Sequence, residues 1–262
     1  MNIKIVIPVV NLDLAQTLLA CLAQGALQPA RITIINNTGQ PWPTDISKGI
    51  SRNKNFTQIL NPPQPLPVNA SWRLGFERLG VCELVSILND DIEVGPRFLE
   101  RIARIFHDHP EAAVVCPATS RDKHDMTDGG PIMAVPMRRR EDWVFTIRRE
   151  VLDSIPPIPI ELQTFCGDDW IWHWSRRGGP AKRGIWLKDV GQTIWHQVGA
   201  SIDKLGVRAD LPIERQALSR LIEQTDLFSP SCPSRPLRRS PASSRDSRGP
   251  SRPSRPGEPS CA

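Results

Sequence analysis

The 262-residue chain has no CxxC pair among its six cysteines, no apolar run near the roughly 18 residues a membrane span requires, and almost nothing apolar in its last stretch. Each absence narrows the reading. Cys21, Cys82, Cys116, Cys166, Cys232 and Cys261 lack the spacing of a disulfide or metal framework, so reduced thiols are expected. The amino terminus, Met-Asn-Ile-Lys-Ile-Val-Ile-Pro, enters a strand directly and not a leader. A soluble, cytoplasmic protein is the expectation.

Net charge is also missing from most of the chain. Residues 229–262 hold seven arginines (Arg235, Arg238, Arg239, Arg245, Arg248, Arg252, Arg255), no lysine and two acids (Asp246, Glu258), which accounts for the whole formal charge of +5. Taking these from the totals of 33 basic and 28 acidic residues leaves 26 of each over residues 1–228. The isoelectric point of about 9.1 therefore belongs to the tail, and the body is not expected to bind nucleic acid.

A Ser-, Pro- and Arg-rich segment with so little to bury cannot offset the entropy of ordering its backbone, so 229–262 is expected to be disordered. It reads either as a solvated appendage or as a contact for RNA, anionic lipid or an acidic partner. Deleting it is predicted to leave the melting temperature nearly unchanged while the isoelectric point falls toward neutrality. Calorimetry and isoelectric focusing of the truncated protein check this, and a large loss of thermal stability would show that the tail packs on the body.

What remains has a hydrophobic fraction of 39% over the full chain, enough for a real core. Strand-like runs alternate with helical patterns, predicting an α/β fold: one domain over 1–228, with a mostly parallel central sheet flanked by helices. Residues 3–10 read as the first strand. Leu14, Leu18, Leu19 and Leu22, followed by Gly25, read as an amphipathic helix over 14–24. Residues 31–36 and 57–60 read as strands, and 71–79 as a helix capped by Asn69 or Ser71. Residues 84–88 form a further strand, Pro96 opens a helix reaching Phe106, and Pro117 ends a strand over 113–116. The polar stretch 121–140 lacks a period and is expected to be a long loop beside the site.

The run Leu84-Val-Ser-Ile-Leu-Asn89-Asp90-Asp91-Ile-Glu93 delivers neighbouring oxygen ligands to the carboxyl end of an apolar strand. In open α/β sheets ligands gather there, and such oxygens suit a hard divalent cation. Asn-Asp-Asp after a strand is also ordinary turn chemistry. Two later segments have matching shapes. Cys166-Gly167-Asp168-Asp169-Trp170 sets a carboxylate pair at the start of a helical stretch, and Ile194-Trp195-His196 sets a lone histidine at the end of an apolar run. Trp170, Trp172 and Trp174 suggest sugar stacking, but helical spacing points Trp170 and Trp174 one way and Trp172 another, as core packing would.

In order and spacing, these three segments resemble the inverting family-2 glycosyltransferases of the glycosyltransferase-A fold. The resemblance runs from Ile3 to Ser201. Residues 1–117 correspond to the nucleotide-sugar half and 118–228 to the acceptor half. Pro8-Val9-Val10-Asn11 lies where the family's first strand meets the donor base. Asn36-Asn37-Thr38-Gly39 replaces the usual Asp-Asp-Gly-Ser, so amides stand for acids. Val68-Asn69-Ala70-Ser71-Trp72-Arg73 resembles the family's "GVAxSWN" helix start with Arg73 in place of Asn, and Arg148-Arg149-Glu150-Val151-Leu152 its "RREVF" segment.

The resemblance implies a nucleotide-diphosphate sugar donor, contacted by Pro8, Val10, Asn11, Asn36, Asn37, Ser71, Arg73, Asn89 and Asp90. Asp91 and His196 are implied as ligands of Mn²⁺ or Mg²⁺, which a mixed oxygen and imidazole shell accepts better than calcium. Asp169 is implied as the general base on the acceptor, with Asp168 and Trp170 binding acceptor groups. The acceptor is a glycan, a lipid-linked sugar or a protein. Arg138-Arg139-Arg140 reads as a diphosphate neutraliser or a solvated face. Two rival readings stand beside transfer: a non-catalytic nucleotide-sugar binder, favoured by the amides at Asn36, Asn37 and Asn89, and a sugar-phosphate nucleotidyltransferase. The latter lacks its Gly-rich loop with Arg and Lys after the first strand.

Overall fold

The computed structural model describes residues 1–43, 57–138, 144–177, 184–197 and 210–228. The tail, Arg139 and Arg140 of the basic run, and residues 198–209 lie outside the described residues. Strand β1 (Ile3–Val9) is apolar almost throughout because both faces are covered. Ile3, Ile5, Ile7 and Val9 enter the core on one side and Val6 enters the core on the other, the two-residue alternation of a pleated strand.

Helix α1 (Leu12–Ala23) follows after a two-residue turn and buries Ala15, Leu18, Leu19 and Leu22. Strands β2 (Arg31–Asn36) and β3 (Thr57–Leu60), helix α2 (Val68–Arg78) and strand β4 (Leu84–Ile87) complete a parallel block. Helix α2 rests directly on β1, since a Cβ at Gly75 would sit 2.5 Å from Val6 Cγ1. It begins after Pro67 without a side-chain cap, so neither Asn69 nor Ser71 plays the expected capping part. Both are buried and bonded elsewhere, as described below.

Beyond this block come β5 (Ile92–Glu93), α3 (Phe98–Asp108), β6 (Ala112–Ser120), β7 (Ala134–Pro136), β8 (Phe145–Arg148), α4 (Arg149–Ser154), α5 (Gly167–Arg177), β9 (Ile185–His196) and α6 (Leu211–Phe228). The strands form one nine-stranded sheet in the order β3-β2-β1-β4-β8-β6-β9-β5, with β7 also on β9. The sheet is mixed: β8 runs antiparallel between β4 and β6, so the parallel arrangement expected from sequence holds from β3 through β4 and recurs at β6 with β9. Core residues fill both faces, Leu18, Phe98, Ile102 and Phe106 on one and Trp72, Phe145, Trp170 and Trp186 on the other.

The expected loop over 121–140 is more ordered than its polarity suggests. It contains a 3-10 turn at Lys123–Asp125, a bridge from Thr127 to Thr193, and β7. Its anchor is internal. Arg101 of α3 and Asp189 of β9 form an ion pair at 2.7 Å with both side chains fully buried. The guanidinium spends its other N–H groups on the carbonyls of Gly130 (2.6 Å) and Pro131 (2.9 Å). A buried charge is tolerable only when its donors are satisfied in this way, so the pair fastens the segment to the sheet. Among the described residues, no helix is long and apolar enough to cross a membrane.

Candidate functional site at the carboxyl edge of the sheet

Parallel strands β1, β2 and β4 end along one edge, and the acidic turn after β4 lies on it. Asp90 is 2% exposed, and its Oδ2 accepts the backbone N–H groups of Val10 and Asn11, each at 2.7 Å. A carboxylate taking two N–H groups is a strong, charge-assisted arrangement. Asp90 therefore ties the end of β1 to the end of β4 through this oxygen. Asn89, next to it, is half-buried at the rim.

Asp91 and His196 are brought together by strand pairing. Ile92 of β5 pairs with His196 of β9, and the Gln197 N–H donates to the Asp91 carbonyl at 2.9 Å. The side chains then meet: Nε2 of His196 lies 3.3 Å from Oδ1 of Asp91, each side chain 5% exposed. That oxygen has no hydrogen-bond partner among the described residues. Burying an acceptor without a partner costs about 1–3 kcal/mol, so the position asks for a ligand. A carboxylate and an imidazole are the donor types that suit a divalent cation. Among the described residues no cluster of three or more His, Cys, Asp or Glu exists, so Asp91 and His196 are the pair that would hold such a cation.

The acid pair opens α5, where carboxylates complement the helix N-terminus. Asp168 is 5% exposed and accepts the Asp169 N–H at 2.9 Å, while Asp169 is half-buried and reaches the surface. Cys166, just before, has φ 61°, a left-handed conformation that costs a non-glycine residue about 1–2 kcal/mol. Burial, then the Asp169, Asp168 and Glu214 carboxylates, push its thiol up to about 12, so it stays neutral at ordinary pH. Gly167 must be glycine: a Cβ there would lie 2.1 Å from Asn69 Oδ1.

Asn69, at the start of α2, links the acid pair to the nucleotide edge. Its amide donates to the carbonyls of Leu162 (3.1 Å) and Phe165 (2.7 Å). One helical turn on, Arg73 shares that face and donates to the carbonyls of Ile158 (3.2 Å) and Pro159 (3.1 Å). Arg73, expected to contact the donor, thus uses its Nη1 to hold the segment leading to the acids.

Other expected donor residues also serve the architecture. Pro8 and Val10 are buried at the end of β1. Asn11 caps α1, its Oδ1 accepting from Asp13 (3.0 Å) and Leu14 (3.4 Å). Asn37 donates to Ser71 Oγ (2.9 Å) and accepts from the Leu66 N–H (2.9 Å), joining β2 to α2. Asn36 donates to the Gln40 carbonyl (2.7 Å) and to Asn61 Oδ1 (2.8 Å). It borders a cavity of about 630 Å³ beyond β2 and β3, with Trp42, Asn61 and Pro63 among its walls. Trp170 is 2% exposed, its indole N–H donating to the Pro156 carbonyl at 2.9 Å. Its ring meets Trp174 at 5.6 Å, as helical spacing predicts, and offers no open face to a sugar.

Sequence reasoning missed Asn69 as a link and Glu214 altogether. Glu214 of α6 is 4% exposed, and its two oxygens accept the N–H groups of Thr164 and Phe165, both at 2.8 Å. Burial pushes its carboxyl up, and the backbone N–H groups oppose that. No local signal marks it, because a glutamate in the first turn of a helix is ordinary.

No model of a known protein family matches the sequence, and no curated protein sequence matches it. Solved structures do. The chain is similar to Staphylococcus aureus TarS 1–349 (12% identity, TM-score 0.59, covering 77% of this chain and 62% of that one). It is similar to the same protein in complex with UDP-GlcNAc (12%, 0.58, 74% and 58%) and to GalNAc-T7 with UDP, GalNAc and Mn²⁺ (11%, 0.59, 74% and 43%). The chain thus spans about three-fifths or less of these proteins' lengths. With the parallel edge, the acidic turn and the joined histidine, the likeness shows that this chain has the glycosyltransferase-A fold.

Proposed function

We propose that residues 1–228 form a metal-dependent, inverting glycosyltransferase that moves a sugar from a nucleotide-diphosphate donor to an acceptor hydroxyl. The observation that carries the reading is the buried Asp91–His196 pair, whose carboxylate oxygen accepts no hydrogen bond among the described residues, on the edge where the fold collects ligands. The complexes of TarS with UDP-GlcNAc and of GalNAc-T7 with UDP and Mn²⁺ support a nucleotide-sugar donor and a divalent cation.

Asp91 and His196 would hold Mn²⁺ or Mg²⁺. When bound, such a cation stabilises the negative charge that builds on the departing nucleoside diphosphate. Inversion requires a base on the opposite face of the sugar. Asp169, half-buried and at the helix start, takes the acceptor proton as the new bond forms. Asp168 accepts the Asp169 N–H, which holds its neighbour's backbone, and stands beside the base to bind acceptor hydroxyls.

A nucleotidyltransferase is disfavoured by the turn after β1. Only Val10 and Asn11 separate β1 from α1, too short a connection to cradle phosphates. A non-catalytic binder remains the second reading, supported by the amides at Asn36 and Asn37. Calorimetric titration with UDP, GDP and ADP, with and without Mn²⁺, followed by hydrolysis and transfer assays with the matching nucleotide sugars, tests the proposal. One nucleotide is expected to bind at least about tenfold more tightly with Mn²⁺ and its sugar to turn over. Binding without turnover supports the binder, and no binding at all overturns both.

A further inference from the structure

The segment between α4 and α5 leads into the acid pair, has no regular secondary structure of its own before Gly167, and is held from two sides. Asn69 takes its carbonyls, those of Leu162 and Phe165. Glu214 takes its N–H groups, those of Thr164 and Phe165. Phe165 thus has its N–H on α6 and its carbonyl on α2, and the residue after it is Cys166 in its left-handed conformation. A strained backbone persists only where its surroundings over-determine it. Asp168 and Asp169 follow within three residues.

We infer that Glu214 is a positioning residue for the transfer reaction: its carboxylate clasps the Thr164 and Phe165 N–H groups and so sets the helix start that aims Asp169 at the acceptor. The inference rests on the proposed function. It adds α6, which carries none of the proposed donor or metal residues, to the machinery on the acceptor side. Both oxygens are needed, since each N–H has one. A glutamine would keep one acceptor and turn an NH₂ toward the second N–H, whereas an aspartate keeps charge and both oxygens on a shorter arm.

The test uses the full chain, with Glu214→Gln, Glu214→Asp, Asp169→Asn and the double variant Glu214→Gln/Asp169→Asn, each first checked for an intact melting transition. Glu214→Gln is expected to lower kcat by about ten- to a hundredfold, with donor KM and Mn²⁺-UDP affinity within about twofold of wild type. In the Asp169→Asn background the same change should cost less than about twofold, because its effect passes through Asp169. Glu214→Asp should recover part of kcat. Hydrogen exchange at the Thr164 and Phe165 amides should quicken at least about tenfold in Glu214→Gln.

An unchanged kcat, or an equal loss in both backgrounds, overturns the positioning role. Unchanged amide exchange overturns the clasp itself. Should Glu214→Gln fail to fold, Glu214→Asp carries the same comparison, and a kcat loss shared equally with its Asp169→Asn double variant overturns the role. A wild-type protein that transfers no sugar overturns the proposed function and the catalytic role with it, while the exchange result still decides whether Glu214 holds the segment.

Discussion

Asp91→Ala is expected to abolish both donor hydrolysis and transfer, by about three orders of magnitude or more. Among the described residues no third His, Cys, Asp or Glu joins the pair, so losing Asp91 removes its one carboxylate and leaves His196. A metal supplies several kcal/mol of stabilisation to the leaving diphosphate, and about 4 kcal/mol corresponds to a thousandfold in rate. Asn89→Ala, at the half-buried rim of the same turn, should keep partial activity. The change at Asp91 also has a readout apart from turnover: Mn²⁺ should no longer tighten UDP binding in calorimetry. The change also removes the buried contact with His196, so the melting temperature of the same protein is measured to show that the loss of activity does not come from unfolding. An Asp91→Ala protein that turns over at the wild-type rate with Mn²⁺ present would remove the metal from the proposal.

The second large effect belongs to the acid pair. Asp169→Asn is nearly isosteric and uncharged, so it should lower turnover by about two to four orders of magnitude while Mn²⁺ and donor affinity stay close to wild type. A base acts only as the bond forms, which is why binding should be spared. Asp168→Asn should behave otherwise. Its amide oxygen can still accept the Asp169 N–H, so the helix start survives, and the change should raise the acceptor KM more than it lowers kcat. Steady-state transfer rates against acceptor concentration, with calorimetry on the same samples, separate the two variants. If Asp169→Asn loses donor binding together with transfer, the residue sits in the donor shell. If neither changes, the base lies elsewhere or the protein only binds.

The half-buried position of Asp169 beside the more deeply buried Asp168 bears on a choice that sequence left to motif matching. A one-residue slip in the alignment of Asp168-Asp169-Trp170 would exchange base and acceptor ligand. Exposure favours Asp169 as the group that meets an acceptor, and the hydrogen bond from its N–H to Asp168 gives the neighbour a separate task.

By itself the sequence determined the class and the edge. The continuous apolar run of β1 required a strand covered on both faces, the leucine spacing of α1 required an amphipathic helix, and Asn89-Asp90-Asp91 had to fall at the end of the strand before it. These are local properties, written in periods of two and 3.6 residues. Tertiary structure decided the rest. Asp91 meets His196 because β5 pairs antiparallel with β9, and no local pattern specifies which strands become neighbours. The same reason explains why β8 enters the sheet antiparallel. It also explains why Asn11, Asn37, Ser71 and Arg73 spend their polar atoms on the frame, and why Trp170 packs inward. A polar side chain reads alike in a sequence whether it faces a ligand or a distant backbone, and only the fold supplies the partner that buried donors and acceptors must find.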